Sequence, residues 1–452
     1  MANITLAQAA AWCGGKVEPQ YADVSFFGAS NDSRTICPGQ LFVALVGVRD
    51  GNDFVDMALE KGAAAVLTSK RLGDYPAILV EDPRIALGKI AAGLRRHMAM
   101  MVVGVTGSVG KSTTKEMIAS VLEGDHIVSK TPANFNNDLG LPMAILGMAD
   151  DTQIGVLEMG MSHAGEISYL SHIAKPDIGV ITNIGVMHME NFESQEGILR
   201  AKLEIVDGMD ENARLCLYGD DGYLWNSREN ISQNVTFFGR ENPQCRILAK
   251  NVYQGEDGLH FTVQSGNTEF PLTLPLEGEH YVADALAAVS VGLALGVAPE
   301  RIAERLAHFR NIAGRQETFQ AKGCTIINDS YNAGPESMEA ALKVLGNRKG
   351  RHIALLGDML ELGERTKDAH HQLGVVASRY ADVLLVLGPN AVHVAGGAKN
   401  AGMPEESIFV FSDGATMAQK LKQIYHSGDV LLFKGSHGIH VERVLEKFLT
   451  EE

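Results

Sequence analysis

Apolar positions along the chain fall into short runs separated by stretches with helical spacing, the alternation expected of a layered α/β fold. Near the start, the Ala-rich stretch Leu6–Trp12 predicts a helix capped by Thr5 and stopped by Gly14. Leu41–Val46 predicts a buried strand, Phe54–Lys61 a helix stopped by Gly62, and Ala65–Thr68 the next strand. Residues 1–95 therefore read as a small mixed α/β domain. A second series opens with the strand Met101–Val105 and a loop at Thr106–Lys111, followed by a helix from Ser112 to about Leu122. Further apolar runs at Ile154–Met159, Ile178–Thr182 and Arg214–Tyr218 predict a parallel sheet. Between residues 233 and 275 the period drops to two. His260–Val263 and Phe270–Leu274, linked through Gly266 and Asn267, predict antiparallel hairpins, a β-rich appendage to the same domain at 96–312.

Over residues 313–452 the alternation becomes regular, with strands expected at Thr325–Asn328, Ile353–Leu356, Val383–Leu387, Ile408–Phe411 and Val430–Phe433, each before a helical stretch. Such a series predicts a doubly wound, Rossmann-like sheet. No G-x-G-x-x-G follows any of these strands, so a nicotinamide site is not expected. The fold class expected is thus α/β in three domains.

Composition narrows the function classes. A hydrophobic share of 45% against 21% charged residues is that of a globular chain with ample core. The formal net charge of −16 opposes nonspecific binding to nucleic acid or anionic membranes, which needs basic patches. The 5 cysteines are scattered without a C-x-x-C pair, so neither a zinc knuckle nor a disulfide framework is expected. No basic leader and no apolar run near the roughly 20 residues of a membrane helix is present, so a soluble, cytoplasmic protein is expected; it is also expected to be a monomer.

The candidate chemistry starts at Thr106-Gly107-Ser108-Val109-Gly110-Lys111-Ser112-Thr113, between a strand and a helix. Glycines there let backbone N–H groups turn toward phosphate, the helix N-terminus adds its positive dipole end, Lys111 supplies a mobile charge, and Ser112 can hold Mg²⁺. The strict G-x-x-x-x-G-K-[ST] spacing is not met, because Val105 occupies its first glycine position. On residues alone, Glu158 is either a magnesium-orienting carboxylate at a strand end or a solvated one. His188 is either a ligand or an ordinary loop histidine, and Lys202 reads as a surface charge.

Taken together, the chain resembles the Mur ligase family over essentially its whole length. The shared signs are the phosphate loop, Glu158-Met159-Gly160, His188, Lys202 in Ala-Lys-Leu-Glu-Ile, Gly278-Glu279-His280, Gly314-Arg315 and Asp329. Asn134–Gly140, Asn328–Ala333, Gly357–Gly363 and Lys434-Gly435-Ser436 are similar to members that add D-alanyl-D-alanine to a UDP-linked muramoyl tripeptide. The resemblance implies an ATP-dependent, ADP-forming ligase working through an acyl phosphate. It implies a UDP-binding first domain with Ser33 and Arg34, and a central ATP-binding domain with two Mg²⁺ ions held by Ser112, Glu158, His188 and a carbamylated Lys202. It also implies nucleotide contacts from His280, Asp284, Arg315 and Asp329, and substrate contacts from Asn137, Tyr331, Asn332, Asp358 and Lys434. The chain departs from the family pattern at Tyr281 and Asp284, where Asn is usual, and at His437, where Arg is usual. The rival readings are another Mur-type or folylpolyglutamate synthase-like amide ligase, or a P-loop switch without amide chemistry.

Overall fold

The computed structural model describes residues 3–71 and 73–450. In the first domain, strands Ala29–Ser30, Leu41–Val43, Ala65–Thr68 and Ala77–Leu79 pair in parallel in that order. The strand expected to reach Val46 ends at Val43, because the chain folds back there: Gly51 N–H donates to Leu45 O and Val46 bridges to Asp50. The helix expected at Phe54–Lys61 is Val55–Glu60, entered through a 3₁₀ turn at Gly51–Phe54 that Asp50 caps. Thr5 and Gln8 form a capping box on helix Leu6–Cys13, and Gly14 ends it in the left-handed region at φ 73°.

Helix Pro83–His97 carries the first domain onto the second. Asp82 caps it, Pro83 starts it, and Arg95, Arg96 and His97 complement the negative end of its dipole. Its apolar face packs on helices Gly140–Leu146 and Glu166–Ala174. Leu87, Ile90 and Leu94 consequently share one core with Leu141, Leu170 and Ile173.

The central sheet has nine strands, ordered Thr268–Leu274, Leu259–Ser265, Ile247–Gln254, Asn234–Gly239, Arg214–Tyr218, Ile178–Ile181, Met101–Thr106, Ile154–Glu158 and Val128–Lys130. The hairpin strands expected between 233 and 275 extend this sheet: Asn234–Gly239 joins it in parallel, and the last two strands pair antiparallel at its edge. Met101–Thr106 lies between Ile154–Glu158 and Ile178–Ile181, with Val105 opposite Glu158 and Thr106 opposite Ile181. That register brings the phosphate loop, Glu158 and the segment leading to His188 to one end of the sheet.

The third domain is a six-stranded sheet ordered Glu317–Ala321, Cys324–Asp329, Val430–Lys434, His352–Gly357, Val383–Leu387 and Ile408–Phe411. Five strands are parallel, with helices and a separate apolar core on each face, as a doubly wound sheet requires. The unexpected strand Glu317–Ala321 forms a hairpin with the first of them. Among the described residues no helix is long and apolar enough to cross a membrane.

Because Leu87 is fully buried in the core shared by the first two domains, Leu87→Ala should cost about 2–5 kcal/mol in urea unfolding. Unchanged stability would mean that the two domains do not share that core.

Candidate active site

The phosphate loop is fixed from behind. Ser108 N–H donates to Asn183 O at 3.1 Å and Val109 N–H to Asn183 Oδ1 at 2.9 Å. The Thr182 hydroxyl and Asn183 amide both donate to Val109 O, at 2.6 and 3.0 Å. Two glycines permit this closeness. A Cβ on Gly107, at φ 147°, would lie 1.9 Å from Thr182 Oγ1, and one on Gly110, at φ 86°, would lie 2.5 Å from Asp284 Oδ1. Helix Lys111–Leu122 then begins with first-turn N–H groups that no helical carbonyl can satisfy, an arrangement suited to an anion. Lys111 folds back on the loop, donating to Gly107 O at 2.9 Å and Ser108 O at 3.2 Å. Burial lowers its pKa from the ordinary lysine value.

Beside the loop, Ser112 donates to Glu158 Oε2 at 2.7 Å and Asn136 donates to Glu158 Oε1 at 2.9 Å. Glu158 is therefore turned toward the loop, and only about 3% of it is exposed. Lys115 lies under the pair, buried, 4.0 Å from Glu158 Oε2 and bound to Thr131 O at 2.7 Å. Sequence reasoning assigned no role to Asn136, Asn183 or Lys115. No local signal marks Lys115, which stands among Ser, Thr and Glu in the first half of its helix.

The third domain closes the site. Arg315 donates to Ser112 Oγ at 2.8 Å, and its guanidinium stacks 4.0 Å from the Tyr331 ring centroid. His188 Nδ1 lies 2.6 Å from Glu361 Oε2 of the third domain. A cleft of about 1150 Å³ results, lined by Arg84 of the first domain, by the phosphate loop, Glu158, Asn137, His188, His280 and Asp284 of the second, and by Arg315, Asp329, Tyr331, Asn332, Lys434 and His437 of the third.

Several expected site residues lie elsewhere or are already engaged. Lys202 is fully buried on helix Gln195–Leu203 and does not line the cleft; it is not the surface charge its sequence context suggests. Burial and the nearby Lys111 push its pKa well below the ordinary lysine value. The resemblance implies substrate contacts from Asp358 and Lys434, and both side chains have partners within the third domain. Asp358 is buried away from the cleft, holding Asn390 through its backbone N–H and side-chain amide at 3.0 and 2.8 Å. Lys434 faces Asp329 across paired strands and gives its ammonium to Asp329 Oδ2 at 2.6 Å and Asn332 O at 3.0 Å. Ser33 and Arg34 also lie outside the cleft lining: the Ser33 hydroxyl contacts Met57 Sδ at 3.4 Å and Arg34 pairs with Asp32 at 2.8 Å. Asn137 lines the cleft while its Oδ1 accepts from Leu139 and Gly140 N–H.

Comparison with known proteins bears on this geometry. The family model of the Mur ligase middle domain matches residues 105–292, and that of the Mur ligase glutamate ligase domain matches 314–437. The UDP-N-acetylmuramoyl-tripeptide–D-alanyl-D-alanine ligase of Bacillus subtilis is 38% identical, with 96% of each chain covered. The chain belongs to the Mur ligase family. Among solved structures, MurF of Acinetobacter baumannii superposes with a TM-score of 0.91 at 30% identity, with 100% of both chains covered. MurF ligase of Thermotoga maritima in complex with ADP superposes with a TM-score of 0.82 at 32% identity, covering 93% of this chain and 97% of that one.

Asp284 is a close neighbour of the phosphate loop. It is buried, accepts a hydrogen bond from Thr114 Oγ1 at 2.8 Å, and burial pushes its carboxyl up to about 7. Its folded pKa lies above the unfolded value near 3.8, so the associated stability is fully present below about pH 4 and is lost as pH rises through 7. Asp284→Asn keeps the acceptor for Thr114 and removes the charge. It should stabilise the protein more at pH 8 than at pH 5, by roughly 2–4 kcal/mol. Unfolding curves whose separation is the same at both pH values would show that Asp284 stays ionised.

Proposed function

We propose that this protein joins D-alanyl-D-alanine to UDP-N-acetylmuramoyl-tripeptide at the expense of ATP, in the cytoplasmic synthesis of peptidoglycan precursors. The observation that carries the reading is the single cleft in which a phosphate loop, an acidic strand end and a third-domain arginine meet. Close relatives bearing that activity in their names support the choice of substrates. In this reading the protein acts as a monomer. In this reading residues 1–95 hold the UDP group through Ser33 and Arg34, 96–312 hold ATP, and 313–452 present the amine.

A free carboxylate does not acylate an amine, so the γ-phosphoryl group is first transferred to it. Loop N–H groups hold the phosphates, and Lys111 leaves the Gly107 and Ser108 carbonyls to meet them. Arg315, already at Ser112, neutralises charge at the γ-phosphate, and Asp329, steadied by Lys434, accepts from the ribose. Tyr331 and Asn332 border the space for the dipeptide, and the closed third domain keeps water from the acyl phosphate.

The donor set fits magnesium. Ser112 Oγ and the Glu158 carboxylate are oxygen ligands already in contact, the kind Mg²⁺ prefers. Among the described residues no three His, Cys, Asp or Glu side chains gather as a ready metal cage, so ions here would depend on phosphate oxygens as well. His188 and carbamylated Lys202 would hold a second ion. Burial lowers the pKa of the Lys202 amine and so favours the free base that carbamylation needs: its nitrogen would add to CO₂, a proton would leave, and the lysine would become an anion. Magnesium there supplies charge neutralisation for phosphoryl transfer.

Phosphate release with UDP-N-acetylmuramoyl-tripeptide tests the reading. D-alanyl-D-alanine should be accepted and free D-Glu or a diamino acid rejected by a factor of about 10⁴, since a shorter amine leaves groups that bind the dipeptide unpaired. Comparable rates with a dipeptide and a diamino acid would defeat it. Lys202→Ala should lose activity and regain part of it on addition of short carboxylic acids that replace the carbamate. Ordinary kinetics in that variant would remove Lys202 from the site.

A further inference from the structure

His188 and Glu361 are a pair of residues each held in an uncommon backbone conformation. Their φ angles are 65° and 64°, the left-handed region where non-glycine residues cost of order 1–3 kcal/mol, and the surrounding structure must hold them there. The loop carrying Glu361 is clamped at three successive residues. Asp358 holds Asn390, Met359 N–H donates to His370 Nε2 at 3.0 Å, and Leu360 N–H donates to Ser436 Oγ at 3.0 Å. The result is a carboxylate carried across the domain boundary to a histidine.

His188 Nδ1 is buried, and Glu361 Oε2 stands 2.6 Å from it at an angle that falls short of a formed hydrogen bond. Among the described residues it is the one histidine–carboxylate pair that joins the second and third domains. An imidazole whose Nδ1–H is given to a carboxylate presents Nε2 as a lone-pair donor with fixed aim, the usual second partner of a metal-binding histidine.

We infer that Glu361 is a positioning residue: by accepting the Nδ1 proton of His188 it sets the tautomer and direction of that ring, so that the His188 metal site is fully formed only when the third domain is closed. The inference rests on the reading of His188 as a metal ligand. It makes Asp358, expected to touch substrate, an anchor of the loop that aims Glu361. It also ties metal binding to the same closure that brings Arg315 to Ser112.

The test is Mn²⁺ binding to the full-length protein with a non-hydrolysable ATP analogue and bicarbonate, followed by the electron paramagnetic resonance of free Mn²⁺. The wild type should bind two ions, and Glu361→Ala should weaken the weaker one about 10- to 100-fold while leaving the nucleotide-held ion unchanged. Glu361→Gln keeps an acceptor and should lose less. Wild-type affinities in Glu361→Ala, or equal losses at both sites, would overturn the inference while His188→Ala still removes the weaker ion. If His188→Ala binds both ions normally, or the wild type binds only one, the reading of His188 as a ligand fails and the inference fails with it.

Discussion

The strand Met101–Thr106 runs inside the central sheet, seventh of nine, with a parallel neighbour on each side, and its exit controls the site. Parallel pairing aligns the carboxyl ends of neighbouring strands, so Glu158 and Thr182 arrive level with the phosphate loop. The loop is then pressed between Thr182, Asn183 and Asp284 so tightly that glycine is required at positions 107 and 110. Because the carbonyl of Val109 is taken from behind, the first-turn N–H groups of the following helix remain available to an anion. Moving that strand one place in the sheet would separate loop, carboxylate and His188.

Around this centre the molecule is built from attachments of different strength. The first domain is joined through a continuous apolar core, with Leu87 and Ile90 packed among residues of the central domain. The third domain has its own two cores and meets the site through polar contacts such as Arg315 to Ser112 and His188 to Glu361. Polar contacts between groups that water can also solvate release at little net cost, whereas separating an apolar core exposes surface to water. By this difference the third domain can part from the site at lower cost than the first domain can leave the second.

The charges of the cleft follow the same division. Lys111 and Arg315 flank the place where phosphate is expected, and Glu158 is the buried anion beside them, with Lys115 behind it. They offset locally a chain whose formal net charge is −16, which would otherwise oppose an anionic nucleotide. Lys434 pairs with Asp329 at the cleft wall, the consequence of Asp329 and Lys434 standing opposite each other on adjacent parallel strands.

The sequence by itself determined the order of the strands and helices, the three-part α/β division, the phosphate loop with Lys111 and Ser112, and the resemblance to the Mur ligases. Those are local properties: hydrophobic period, glycine placement and motif spacing are written within short windows of the chain. The short extent of Leu41–Val43, the extra strand Glu317–Ala321 and the pairing of Asn234–Gly239 within the main sheet were not legible, because each depends on a partner distant in sequence. The same holds for side chains. Lys202 reads as a surface charge until the fold buries it, and the pairing of Asp358 with Asn390 and of Lys434 with Asp329 is written in no local pattern. The meeting of Glu361 with His188 spans two domains and two left-handed residues. Only the tertiary structure decided it, because no local pattern records which loop of one domain faces which loop of another.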